Sequence, residues 1–270
     1  MAYVRTRLGR LFYEERGAEG AKTAIVLLHG LLFDGGLWNG QVAPLAALGR
    51  VVVIDGPGHG RSEPAPRFLL EDHADALFDA FGELGISRAV LLGLSWGGMV
   101  AIRMALQHPE HVAGLAVLDA SAHPDTLANR LRYRAFIAMH RRVGFPRSLF
   151  DRELAPRLFS DRFATTHPEV LDAAYRRTMG FERAGLARAA IAVVIHGKDV
   201  RPLLGAIRAP TIVMCGSEDR STPPSHSREI AQAIAGAELV VLDGLGHMSA
   251  IEDPGAVNAS LLPFVQRCLR

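Results

Sequence analysis

The chain has 270 residues, of which 49% are hydrophobic and 21% charged, with a formal net charge of +2 and two cysteines. That length suffices for one large α/β domain or two small ones with a substantial core, and the near-neutral balance gives no reason to expect nucleic acid or an anionic membrane as partner. Two cysteines, Cys215 in a strand-like run and Cys268 near the end, make no disulfide framework. The first residues lack the apolar core of a signal peptide, and no apolar run approaches the roughly 18 residues of a membrane span, so a cytoplasmic protein is expected.

In chain order, strand signals come first at 24–28 (AIVLL), 51–54 (VVVI), 89–92 (AVLL) and 112–118. Each run is continuous instead of alternating, which predicts parallel strands buried on both faces. Helical stretches at 70–84 and 99–108 have the length a crossover needs, and the alternation predicts a doubly wound α/β domain. From 122 to 205 no strand is evident except 189–195, whose alanines fit a helix equally well. Strand signals return at 211–215 and 238–242, and a helix over 255–267 closes the chain. The division expected is an α/β core over 1–121 and 206–270, with a helical insertion over 122–205.

That insertion carries fifteen Lys and Arg against eight Asp and Glu, a net +7, which leaves −5 on the rest of the chain. Arginines on helices are ordinarily a solvated face; the alternative is a positive rim above a pocket. Arg130, Arg132 and Arg134 alternate, so in a helix they point different ways, and at least one is expected to face the pocket. There it would favour a substrate bearing a free carboxylate.

The stretch GLSWGG, residues 93–98, sets Ser95 between Gly93 and Gly97 where a strand gives way to a helix. A serine hydroxyl is a weak nucleophile unless it is exposed and a base takes its proton. The spacing G-x-S-x-G describes a sharp turn that lifts such a serine above a sheet edge, although a glycine-rich turn with a capping serine would read alike in isolation. Partners follow in the order acid, then histidine: Asp219 in GSEDRSTPP and His247 in DGLGHM, both in loops after strands. Asp119, after the strand 112–118, is the rival acid; Asp219 is preferred for its later position and turn-rich loop. Glu218 is expected to point away, and His29 and His59 to stabilise loops. No cluster has metal-ligand spacing, and neither metal nor cofactor is expected. The oxyanion of a tetrahedral intermediate needs two N–H donors. The amide of Trp96 supplies one, and that of Leu31 the other, with Leu32 in reserve. The side chains of Leu32, Trp96 and Met248 are expected to line the substrate site.

Five segments, LLHGLL, VIDGPGHGRS, GLSWGG, GSEDRSTPP and GLGHMSAIEDP, occur in the order seen in the α/β-hydrolase superfamily, which the chain resembles over nearly its whole length. The look is closest to the 3-oxoadipate enol-lactonase and carboxylesterase branch, from which Trp96 departs by its bulk. The resemblance implies an α/β-hydrolase fold, a mostly parallel eight-stranded sheet flanked by helices, with a helical lid inserted after the sixth strand. It also implies a serine hydrolase of a small carboxylic ester or lactone, working through an acyl-enzyme. A serine at 95 argues against the dehalogenase and epoxide hydrolase branches, which use aspartate. A carbon–carbon bond hydrolase and a perhydrolase with haloperoxidase-like activity would use the same three residues, and a ligand-binding protein without turnover is the rival of another class. A homo-oligomer is compatible with the sequence.

Overall fold

The computed structural model describes residues 2–270 and opens with two strands that leave no apolar run in the sequence. Strands β1 (Ala2–Thr6) and β2 (Gly9–Arg16) pair antiparallel, and they mix inward apolar residues with outward polar ones, Arg5 in β1 and Arg10, Glu14, Glu15 and Arg16 in β2. The continuous runs become β3 (Thr23–Leu28), β4 (Arg50–Ile54), β5 (Arg88–Leu94), β6 (Val112–Leu118) and β7 (Thr211–Gly216), which are buried almost throughout. β8 (Glu238–Leu242) forms one edge and is largely exposed. The order is β1-β2-β4-β3-β5-β6-β7-β8, with β2 antiparallel to β4 and every later pair parallel. This is the mostly parallel eight-stranded sheet that the resemblance implied.

Helices cover both faces of the sheet. α1 (Asn39–Ala46) packs on one face, and α2 (Leu70–Leu84) with α3 (Trp96–Gln107) on the other. α2 shows why such a segment is helical: Leu70, Ala74, Leu77 and Phe81 recur on one face and are buried. The Asp72 carboxylate takes the Leu69 N–H at 2.7 Å, and Gly85 ends the helix in the left-handed region at φ 66°. Burying each large apolar side chain of that stripe contributes roughly 1.5–3 kcal/mol.

Between β6 and β7 the chain runs through α4 (Leu127–Val143), α5 (Arg147–Leu149), α6 (Ala155–Leu158), α7 (Asp161–Thr166), α8 (Pro168–Gly180) and α9 (Arg183–Ala190). Wide π-type turns follow α5, over Phe150–Leu154, and α9, over Ile191–Ile195, so the ambiguous 189–195 stretch is helical. After β7 come α10 (Pro224–Ala233), on the α2–α3 face, then α11 (Ser249–Glu252) and α12 (Pro254–Cys268), which joins α1. Among the described residues no helix is long and apolar enough to cross a membrane.

Candidate active site

The crowding of glycines around Ser95 has a steric cause. β5 delivers the chain to Ser95, whose backbone stands at φ 53°, ψ −113°, and α3 starts at the next residue. A Cβ on Gly93 would lie 2.3 Å from the Gly97 carbonyl oxygen, and one on Gly97 would lie 2.1 Å from that of Leu28. Only glycine lets these backbones approach so closely. The Ser95 N–H donates to the Leu118 carbonyl at 2.8 Å, which ties the strained turn to the end of β6.

Three side chains from three loops meet in one hydrogen-bonded series. The Ser95 Oγ lies 2.9 Å from His247 Nε2, and His247 Nδ1 lies 2.8 Å from Asp219 Oδ2. Asp219 is held by its own loop: its Oδ1 accepts the N–H groups of Ser221 at 2.8 Å and Thr222 at 2.9 Å, and its Oδ2 accepts the Thr222 hydroxyl at 2.8 Å. An Asx-type turn of this kind is encoded in the run Asp-Arg-Ser-Thr, a signal that would have picked out Thr222. Burial opposes a charge on His247, but the Asp219 carboxylate and its hydrogen bond outweigh it and raise the imidazole above its ordinary range.

Asp119 occupies a different place. It is wholly buried at φ 46°, and its carboxylate accepts the Gly216 N–H at 2.8 Å and the Ser249 hydroxyl, not the histidine. Burial, with the neighbouring Asp219 charge, pushes its carboxyl up to about 8. Glu218 is exposed.

The loop after β3 lies against the serine, so closely that a Cβ on Gly30 would be 3.5 Å from the Ser95 Cβ. In that loop the Leu32 N–H donates to His59 Nε2 at 3.3 Å, and His59 Nδ1 donates to the Pro57 carbonyl at 3.1 Å. His29 repeats the pattern, with Nδ1 on Gly30 O and Nε2 accepting the Gly56 N–H, both at 2.8 Å. Burial lowers both histidines, which fits their neutral hydrogen-bonding roles. The amide of Leu32 is thus occupied. Those of Leu31 and of Trp96, in the unpaired first turn of α3, donate to no acceptor among the described residues.

The side chains at two expected pocket positions turn away. Trp96 is buried against His29, His59 and His73, with ring centroids 4.9–5.6 Å apart, and a Cβ on Gly56 would lie 2.7 Å from its ring. Entry into α3 directs its ring beneath the turn. Met248, at the N-terminus of α11, is buried in the other core. Leu32 does line the cavity of about 130 Å³ that contains Ser95 and His247, together with Met99, Tyr133 and Arg157. An apolar cavity of about 80 Å³ adjoins it, sharing Leu31, Leu32 and Tyr133 and walled by Phe136, Phe145 and Leu186. A larger cleft of about 640 Å³, beside Asp34 and Arg177, contains none of these reactive groups.

The three arginines singled out in the insertion do not line the Ser95 cavity. Arg130 donates to the Gly197 carbonyl at 3.3 Å, Arg132 lies 5.3 Å from the Tyr133 ring centre, and Arg134 is exposed on an outer groove with Arg67 and Arg141. Arg157 lines the cavity instead. It sits on a four-residue helix entered from a π-type turn, where no periodicity could have assigned it a face.

A family model described as the alpha/beta hydrolase fold matches residues 23–254. The chain belongs to the α/β-hydrolase family. Among curated proteins, this α/β hydrolase is 32% identical over 98% of its length to the dihydrolipoyllysine-residue acetyltransferase component of an acetoin cleaving system from Pseudomonas putida, covering 69% of that longer protein. Among solved structures it is similar to a thermophilic esterase from Thermogutta terrifontis, with a TM-score of 0.89 and 28% identity over 99% of this chain and 98% of that one. It is equally similar to the enol-lactonase from Burkholderia xenovorans LB400, with a TM-score of 0.89 and 28% identity over 98% and 99% of the two chains.

Proposed function

We propose that this α/β hydrolase is a serine hydrolase of small carboxylic esters or lactones. The observation that carries the reading is the unbroken series Ser95–His247–Asp219, with contacts of 2.9 and 2.8 Å. Ser95 Oγ attacks the carbonyl carbon while His247 Nε2 takes its proton, and Asp219 holds the ring by Nδ1 and stabilises the imidazolium. The developing oxyanion is received by the amides of Leu31 and Trp96, each donor contributing about 2.7–4 kcal/mol. His247 returns the proton to the leaving alcohol, and water activated by the same histidine then cleaves the acyl-enzyme. The esterase and lactonase neighbours named above support an acyl substrate. In this reading residues 122–205 are the lid, and the apolar cavity walled by Phe136, Phe145 and Leu186 takes a short uncharged arm of the substrate.

The test is covalent labelling with a fluorophosphonate, run beside a panel of p-nitrophenyl esters of rising chain length and several lactones. Wild-type protein should label once and turn over short esters or lactones. Ser95→Ala should lose the label and about three decades or more of turnover with its fold intact. Labelling that survives in Ser95→Ala, or turnover above about a tenth of wild type, would remove Ser95 from the reaction.

A further inference from the structure

Among the described residues Arg157 is the one arginine or lysine in the lining of the cavity over Ser95. Five of the other thirteen arginines of residues 122–205 have carboxylate partners: Arg147 with Asp151 and Asp172, Arg152 with Glu153, Arg177 with Asp34, Arg188 with Glu182, and Arg201 with Asp199. The Arg157 guanidinium, partly buried, has no carboxylate within 4 Å and no hydrogen bond among the described residues. A guanidinium drawn partly out of water loses hydration that an anion restores best, through two parallel charge-assisted bonds.

Nor does Arg157 ride on a loose flap. Three successive carbonyls of its segment are bonded to the loops that carry Asp219 and His247. Pro156 O accepts from Arg220 Nη1 at 3.4 Å, Arg157 O from Ser221 Oγ at 3.0 Å, and Leu158 O from the Met248 N–H at 2.9 Å. The backbone that carries the Arg157 side chain is therefore held in register with the loops of the serine's base and its acid. Asp125 is the other charged residue of the lining, at the approach to α4, and its carboxylate already accepts Asn129 Nδ2 at 3.0 Å.

We propose that Arg157 binds a carboxylate of the substrate, so that the preferred substrates are esters or lactones carrying a free acid on one side of the scissile carbonyl and an uncharged arm on the other. The inference rests on Ser95 being the nucleophile and names the substrate class for that site. A planar carboxylate matches the guanidinium fork, and the pinned backbone lets that contact orient the carbonyl as well as add affinity.

The experiment compares the mono-p-nitrophenyl ester of adipic acid with its methyl-capped diester on wild type, Arg157→Gln and Arg157→Lys. Wild type should favour the half-acid in kcat/KM by about 10- to 100-fold, as expected for one charge-assisted contact. In Arg157→Gln that ratio should collapse towards one, and Arg157→Lys should restore part of it. A wild-type ratio of one or below, or a ratio unchanged in Arg157→Gln, overturns the proposal and leaves the serine mechanism standing. If Ser95 fails its labelling test, calorimetric binding of adipate still decides. Affinity lost in Arg157→Gln and partly kept in Arg157→Lys supports the anion site, and equal affinity in all three, or no binding, overturns it.

Discussion

Asp119→Asn should stabilise the fold at neutral pH while leaving most of the activity. The Asp119 carboxyl stands at about 8 in the folded protein, against about 3.9 in an unfolded chain. The folded state therefore holds this proton more tightly, and the stability it confers is complete below pH 4 and lost as pH rises towards 8. By pH 7 the difference spans about three pH units, or about 4 kcal/mol at 1.36 kcal/mol per unit. Asparagine has no proton to lose. Its carbonyl can accept the Gly216 N–H, and its amide can donate to the Ser249 hydroxyl, so both contacts survive. Urea unfolding of the two proteins at pH 4, 7 and 8.5 reads this directly: equal midpoints at pH 4, then a growing advantage for the variant. An Asp119→Asn protein no more stable than wild type at pH 7 and 8.5 would mean that the carboxylate is ionised and held by its two donors, and the reasoning would fall. The rates complete the contrast. Asp119→Asn should keep kcat within about tenfold, whereas Asp219→Asn, which disturbs the bond to His247 Nδ1, should lower it by about three to four decades.

The pH dependence of kcat/KM follows from His247, which must be neutral to accept the Ser95 proton and whose imidazole is raised above its ordinary value of 6.5. Activity should therefore rise with pH through a midpoint above 6.5 in steady-state assays, and a midpoint below 6 would contradict that environment. Gly97→Ala should destabilise by about 3 kcal/mol, because its Cβ would meet the Leu28 carbonyl oxygen at 2.1 Å and backbone cannot swing aside. A melting temperature within a degree or two of wild type would show that the turn relaxes more easily than its packing suggests.

The central strands and the residues brought to Ser95 were legible because both leave strong local marks. A strand buried on two faces must be continuously apolar, and a serine on so tight a turn needs glycine at both Gly93 and Gly97. β1 and β2 escaped notice because their outward Arg and Glu residues interrupt any apolar run. Side-chain direction was harder to read than residue identity. Trp96 follows the serine, yet its ring lies in the core beside His73, because direction there depends on the entry angle of α3. Within the arginine-rich insertion, short helices and π-type turns break the 3.6-residue phase, so sequence alone favoured the regular spacing of Arg130, Arg132 and Arg134 over the isolated Arg157.

The helical excursion between β6 and β7 begins and ends on neighbouring strands, paired from Leu115↔Thr211 to Leu118↔Met214. Its ends, Leu118 and Thr211, are thus fixed by the sheet about 11 Å apart, one strand spacing of about 4.8 Å across and three residues of about 3.3 Å each along, whatever lies between them. Doubling such a connection adds only about 0.6 kcal/mol of closure entropy. Lineages can therefore lengthen, shorten or exchange this segment, and with it the range of molecules admitted, at little risk to the scaffold. The exception is the seam at Pro156, Arg157 and Leu158, where a transplanted segment must supply three carbonyls at the same places or leave the loops of Asp219 and His247 without their outer support. Diversification by segment exchange should thus keep this seam as a fixed graft point and vary freely on either side of it.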